Sequence, residues 1–286
     1  MKKANVQPRV SVLTPIYNTN PQHLREMIES ILAQTFTDFE FLILNDSPDN
    51  TEIEKIVRDY ANRDARIVYH KNIKNMGITP SRNKLLKMAR GEYIAIFDHD
   101  DISVPTRLER EVAYLDANPS VGVVSGWMRR FGIYDDIKKN PENDIDIKIM
   151  LTRDCFVAHT AAMIRKSVLV DNNIEYEEYY SPCEDYQLWA RLMEVTHFYN
   201  IPDVLVEYRF IPTNTSNRQN TKMELMGDNI RKNIADRHPL WHKIAVHNDC
   251  GTKFRLRLFG FIPLLKIKKN WVWLFEFIPV FKIKWR

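Results

Sequence analysis

Tyr93-Ile94-Ala95-Ile96-Phe97-Asp98-His99-Asp100-Asp101 is an apolar run that stops at three aspartates and a histidine. Its first residues are mostly β-prone and read as a buried strand. Unpaired carboxylates are costly to bury, so the acidic end belongs at the exposed C-terminal end of that strand. In open α/β sheets that edge is where ligands bind. Asp98 and Asp100 suit a hard divalent cation with oxygen ligands, and such a cation commonly carries substrate phosphates. The competing reading is an acidic turn that caps the next helix, because a D-x-D match is short and common.

On the N-terminal side, strands and helices alternate. Arg9 to Asn18 opens as a strand that is expected to break at Pro15. Asn20-Pro21 supplies an N-cap and a proline at the first helical position. Leu24, Met27, Ile28, Ile31 and Leu32 follow at helical spacing. Phe39 to Leu44 is a second strand, ending in Asn45-Asp46-Ser47-Pro48-Asp49-Asn50. Ile53, Ile56, Val57 and Tyr60 mark a second helix, and Arg66 to His70 a short third strand. Thr79-Pro80 repeats the cap-and-proline device before a helix through Leu85, Leu86 and Met88. The strand over 92–97 then leads to a helix from Pro105 to Ala117. This recurrence argues for a parallel sheet with helices on both faces. Tyr17, Asp46 and Asp98 fall just past strand ends, so they should converge at one edge. Neither G-x-G-x-x-G nor G-x-x-x-x-G-K-[ST] is present, which argues against a dinucleotide or P-loop site.

Downstream, Val121 to Gly126 reads as a strand and 129–150 as a polar, mobile surface segment. Phe156 to Ile164 reads as a further strand, with lone His159 in it as a core histidine. In Ser181-Pro182-Cys183-Glu184-Asp185, Ser181, Pro182 and Glu184 fit the N-cap, first position and third-position acid of a capping box. That explains Glu184 and leaves Asp185 over. A helix N-terminus favours an ionised Asp185, as a general base requires. His197 to Ile201 and Val204 to Phe210 read as a hairpin. Pro212 to Asn217 reads as a loop, and a polar helix follows from Thr221 to Ala235.

At 286 residues, 44% of them hydrophobic and 27% charged, the composition is that of a globular protein. Cys155, Cys183 and Cys250 spell neither a metal site nor a disulfide framework, so a reducing cytoplasm is expected. No leader pattern and no run of ~18 apolar residues is seen, so no membrane span is expected. The net charge of +4 is unevenly placed: 251–286 holds nine Lys/Arg and one acid, Glu276. That segment contains a repeat, Phe261 to Lys268 against Phe277 to Lys284, with Trp271 and Trp273 between the copies. Lysines interleaved with aromatic and apolar residues suit an anionic membrane surface, where each basic residue contributes ~1 kcal/mol. The alternative is a strand pair or helix packed on the body. Nucleic acid is not expected as a partner, since the rest of the chain is net acidic and carries no nucleic-acid motif.

Taken together, the motifs resemble the family 2 glycosyltransferases with a GT-A fold. The likeness rests on Val10 to Asn18, Ser30 to Phe36, Phe41 to Asp46, Asn75-Met76-Gly77 with Ser81-Arg82-Asn83, Phe97 to Asp101, and Glu184-Asp185. The resemblance implies an α/β fold with a Rossmann-like, mostly parallel sheet. It divides the chain into a nucleotide-sugar-binding half (1–120), an acceptor-binding and catalytic half (121–220), and a C-terminal helical region with the basic amphipathic tail (221–286). It further implies inverting transfer from a UDP-sugar to a hydroxyl of a glycan or lipid-linked acceptor, in lipopolysaccharide, capsule or exopolysaccharide synthesis. By the same resemblance Pro15 and Tyr17 line the base and ribose site, Asp46 reads the uracil edge, and Arg82 approaches the diphosphate. Asp100 is the main ligand of Mn²⁺ or Mg²⁺, Asp98 contacts ribose or the metal through water, and Asp185 is the catalytic base. Relatives often carry a histidine shortly after a Tyr-Arg pair resembling Tyr208-Arg209; here Phe210-Ile211-Pro212 follows, so water or diphosphate would take that ligand position. With the tail, this places the enzyme in the cytoplasm, peripheral on the inner face of the plasma membrane. Rival readings are a non-catalytic nucleotide-sugar-binding subunit and a sugar nucleotidyltransferase, the latter disfavoured by the lack of a Gly-rich, Arg-containing loop near the first strand.

Overall fold

The computed structural model describes side chains over 7–211 and 221–247, and backbone alone at 220, 248–249, 252–258, 262–268, 271–274 and 278–282. The loop expected over 212–217 lies outside the described residues. The N-terminal half runs β1 (Val10–Ile16), α1 (Pro21–Leu32), β2 (Phe39–Asn45), α2 (Thr51–Ala61), β3 (Ile67–Lys71), α3 (Ile78–Met88), β4 (Tyr93–Ile96), β5 (Ile102–Ser103) and α4 (Arg107–Ala117). Then follow β6 (Val121–Gly132), β7 (Asp136–Lys138), α5 (Asp144–Leu151), β8 (Met163–Arg165), α6 (Lys166–Asp171), α7 (Glu184–Leu192), β9 (His197–Phe210), α8 (Asn220–Arg237) and α9 (Pro239–Asp249).

The main sheet has the order β3-β2-β1-β4-β8-β6-β9-β5, with β7 on β6. β3, β2, β1 and β4 are parallel, as helical crossovers demand. The other half corrects the expectation of a mostly parallel sheet. β8 runs antiparallel to both β4 and β6, and β5 antiparallel to β9, while β6 and β9 are parallel. The sheet is therefore mixed. Strand side chains alternate between two cores. Val10, Val12, Phe41, Ile43, Tyr93 and Ala95 pack with α1, α2 and α4. Leu13, Leu42, Leu44, Ile94 and Ile96 pack with α3, α6 and α7 on the other face.

Several local expectations change. β1 continues through Pro15 to Ile16. Beyond Leu13, β4 no longer pairs with it, and the Thr14 hydroxyl donates to the Phe97 carbonyl (2.9 Å), the acceptor that Pro15 has no N–H to reach. The hairpin over 197–210 is instead one long strand. It pairs with β6 across a register shift at Gly126/Trp127, so the 202–203 step is absorbed as a bulge. The segment 129–150 holds the end of β6, β7 and α5. His159–Ala161 is a turn of 3₁₀ helix where a strand was expected.

Asn20 caps α1, accepting from the Gln22 and His23 amides, as expected. α3 starts one residue before Thr79, with Gly77 at its N-cap, and α7 starts after Cys183, so neither Thr79 nor Ser181 is a cap. At the C-terminus, β10 (Thr252–Leu258), β11 (Ile262–Lys268), β12 (Trp271–Leu274) and β13 (Ile278–Lys282) form an antiparallel sheet. The expected helical character therefore ends with α9. The two repeat copies fall on β11 and β13, and a register shift accompanies each proline: Arg257 opposite Pro263, and Trp273 opposite Pro279.

Beneath the end of β4 lies a buried ion pair. Arg107 Nε sits 3.2 Å from Glu111 Oε1, both side chains fully enclosed. Arg107 Nη2 donates to the carbonyls of Ile96 (2.9 Å) and Ala162 (3.3 Å). Burial pushes Glu111 up to about 7 against the pull of Arg107. Glu111→Leu should strand the guanidinium in the core and cost about 3–5 kcal/mol in urea unfolding. Adding Arg107→Met should recover part of that loss; strict additivity of the two singles would show that the residues are not coupled.

Candidate active site

The C-terminal ends of β1, β2 and β4 deliver three of the expected residues to one edge. Tyr17 follows β1 and is 52% exposed, so its ring is free to stack on a ligand. Asn18, at φ 45°, turns the chain there, and its N–H donates to Ser47 Oγ (3.1 Å). Pro15 is buried in the strand and acts on the ladder. Asp46, after β2, is buried. Its Oδ1 accepts from Asn72 Nδ2 (2.7 Å) and the Met76 amide (2.8 Å), and its Oδ2 from the Gly77 amide (2.8 Å). Gly77 has φ 89°, a conformation that favours glycine and turns both amides toward one carboxylate. Asp46 thus fixes the 72–77 loop and retains one acceptor position of about four.

The Ser81-Arg82-Asn83 motif lies on the first turns of α3, and each member reaches a different segment. Ser81 Oγ accepts from Asn72 (3.3 Å). Asn83 clamps the backbone of Tyr176 in both directions (2.8 and 2.9 Å). Arg82 is the junction: Nη2 donates to Asp98 Oδ1 (3.1 Å), Nη1 to Glu184 Oε1 (2.5 Å), and its guanidinium lies 5.6 Å from the Tyr176 ring centroid. Burial opposes its charge, yet Asp98 and Glu184 outweigh this and raise its pKa. Burial likewise opposes ionised Asp98, and the charge and hydrogen bond of Arg82 bring it below the usual carboxylate range.

That ion pair corrects the reading of Glu184 as a capping-box acid. Glu184 is the first residue of α7, and its carboxylate spans to α3. Asp185 follows it, with Oδ1 accepting from the Tyr186 amide (2.7 Å). Burial and the adjacent Glu184 push Asp185 up to about 6, with Arg82 pulling the other way and Asp98 adding to the rise. The helix N-terminus was expected to make Asp185 the more acidic; desolvation wins. His159 hydrogen-bonds the Tyr176 hydroxyl (2.9 Å), packs against Trp189, and is pushed down to about 3 by burial and Arg82. It is a neutral core histidine.

Two residues were missed in the sequence. Arg209, near the end of β9, donates from its backbone to Asp101 Oδ1 (2.9 Å) and from Nε to the Asp100 carbonyl (2.9 Å). Asp101 is fully buried, and burial with the Asp100 and Asp98 charges raises it well above the usual range. The pointer to Arg209 in the sequence is the Tyr208-Arg209 pair. Among the described residues, no group of three His, Cys, Asp or Glu side chains gathers as a ready metal cage. Among the described residues, His99 Nδ1 in the acidic turn is buried without a hydrogen-bond partner. Oxygen donors from Asp98 and Asp100 fit a divalent cation whose shell is completed by substrate oxygens and water.

A Tyr, an Asp and an acidic turn thus stand at one sheet edge, joined through an arginine to the start of α7, on a GT-A-like fold. Solved structures share that fold. Staphylococcus aureus TarS in complex with UDP-GlcNAc matches at a TM-score of 0.64 and 21% identity, covering 80% of this chain and 72% of that one. The mannosyltransferase PcManGT from Pyrobaculum calidifontis, in complex with GDP-Man and Mn²⁺, matches at 0.62 and 18%, covering 86% and 70%. Residues 11–171 match the model for glycosyl transferase family 2. An uncharacterized glycosyltransferase of Methanocaldococcus jannaschii is 34% identical over 208 residues, 71% of each chain. The amylovoran biosynthesis glycosyltransferase AmsE of Erwinia amylovora is 27% identical, over 70% of this chain and 75% of its own. The chain belongs to glycosyl transferase family 2.

Because Arg82 restrains the rise in Asp185, Arg82→Met should move the Asp185 titration to higher pH than about 6. Carboxyl ¹³C chemical shifts followed against pH would measure it. A titration left in place would remove Arg82 from the immediate field of Asp185.

Proposed function

We propose that this protein is an inverting glycosyltransferase that moves a sugar from a UDP-sugar donor to a hydroxyl of a glycan or lipid-linked acceptor. The observation that carries the reading is the Arg82 bridge, which joins the acidic turn at Asp98 to the helix that begins Glu184-Asp185. Family membership and the likeness to structures holding UDP-GlcNAc and GDP-Man support it.

In this reaction Tyr17 stacks on the base and Asp46 offers its remaining acceptor position to it. Asp185 takes the proton of the acceptor hydroxyl as that oxygen attacks the anomeric carbon. The bond from that carbon to the diphosphate oxygen breaks on the opposite face, so configuration inverts and UDP departs with the bonding pair. Arg82 supplies fixed positive charge beside the departing group, and its Nε–H has no partner among the described residues. Asp98 and Asp100 would hold Mg²⁺ or Mn²⁺, which when bound supplies Lewis-acid neutralisation of the diphosphate. A base with a pKa of about 6 is ionised at neutral pH and still basic enough to accept a proton.

The basic, aromatic 251–286 segment and a relative named for amylovoran biosynthesis support this choice of acceptor class. No helix among the described residues is long and apolar enough to cross a membrane. We infer that the C-terminal segment holds the protein on an anionic leaflet. Truncation after Asp249 should then abolish sedimentation with anionic vesicles, and unchanged sedimentation would refute the role.

Asp185→Asn should lower kcat by about 10²–10⁴ while donor binding stays intact, as a panel of UDP-sugars read by UDP release would measure. Near-normal turnover in that variant would exclude Asp185 as the base. In the wild type, kcat/KM should fall about tenfold per unit as pH drops below about 6, because protonated Asp185 cannot accept the proton. A profile flat to pH 5 would contradict the assignment.

A further inference from the structure

The acidic turn is braced on its far side by a pair to which the mechanism above gives no part. Arg209 Nη2 donates to Glu26 Oε2 on α1 (2.5 Å), Nε to the Asp100 carbonyl (2.9 Å), and the backbone amide to Asp101 (2.9 Å). Its guanidinium lies 4.6 Å from the Phe131 ring centroid and is largely buried. Glu26 and Phe131 therefore fix the plane and direction of the fork. One edge is left to grip the main chain at residue 100.

We propose that the Arg209–Glu26 pair is a positioning element for donor binding, holding the backbone of Asp100 so that its carboxylate points to the diphosphate end of the site. The proposal rests on the reading of Asp98 and Asp100 as the diphosphate-facing carboxylates. The turn needs such a brace. Residues 97–101 lie beyond β4 and before β5, outside any ladder. Three aspartates within four residues repel one another, and Arg82 holds only the first. Arg209 ties down the other end through its amide on Asp101 and its Nε on the Asp100 carbonyl, a contact that does not occupy the Asp100 carboxylate. The same helix that carries Glu26 starts at Pro21, directly after the Tyr17–Asn20 turn, so α1 couples the nucleotide end of the site to the diphosphate end. Arg209 touches no reacting atom in this scheme. Lysine is a poor replacement, since one ammonium cannot reproduce a fork fixed by an aromatic face and a carboxylate.

The test is calorimetric binding of UDP to the full chain, with MnCl₂ and again with EDTA. Arg209→Met and Arg209→Lys should each weaken UDP binding about tenfold or more with Mn²⁺, yet by less than about twofold with EDTA. Glu26→Gln should act in the same direction and more weakly, since a neutral amide still accepts a hydrogen bond. If Arg209→Met fails to fold, the other two variants, checked by thermal melting, decide the matter. Unchanged affinity with Mn²⁺, or equal losses in both conditions, would overturn the brace. Wild-type affinity indifferent to Mn²⁺ would do the same. A wild type that binds no UDP in either condition would instead overturn the donor reading above.

Discussion

One guanidinium decides how this site is assembled. Arg82 stands between Asp98 and Glu184, which come from the end of a central strand and the start of a distant helix. Without the intervening charge, those carboxylates would repel across a poorly hydrated gap. With it, α3, the acidic turn and α7 share one electrostatic centre. Asp185 owes its position to this arrangement, because the residue before it is the one Arg82 grips. Removing one partner of such a buried triad leaves another charge unpaired, which is why the triad resists partial loss.

Around that centre the backbone of the acidic turn is held group by group. Thr14 donates to the Phe97 carbonyl, Arg107 to Ile96, and Arg209 to Asp100, while Thr160 accepts from the Asp98 amide. Where regular pairing stops at the end of β4, side chains take over the orphan polar groups. The carboxylates of the turn are thus presented by a rigid main chain, and preorganisation of this kind lowers the cost of ordering on ligand binding. The motifs flanking the site follow the same rule. Gln34 donates to Ser103 Oγ and the Val104 carbonyl and accepts from the Leu108 amide, seating the segment after the turn against α1. Asn83 does the equivalent for the chain at Tyr176.

Local chemistry in the sequence carried the first half of the fold. Alternating apolar strands, the Asn20-Pro21 cap and helical spacing are short-range signals, and all of them survive folding. The second half was harder because its partners lie far apart in the chain. The bulge that makes 197–210 one strand depends on β6, 70 or more residues away. The 3₁₀ turn at His159 depends on its packing with Tyr176 and Trp189. Glu184 fitted a capping box on spacing alone, and only the arrival of Arg82 from α3 shows what its carboxylate does.

The sequence by itself determined the alternating architecture, the acidic end of β4 and the family, since periodicity, turn chemistry and motif order are written in neighbouring residues. Tertiary structure decided the mixed strand directions, the shared arginine and the raised pKa of Asp185. Those properties arise from burial and from charges brought together across about a hundred positions of chain, and no local pattern encodes a dielectric or a distance.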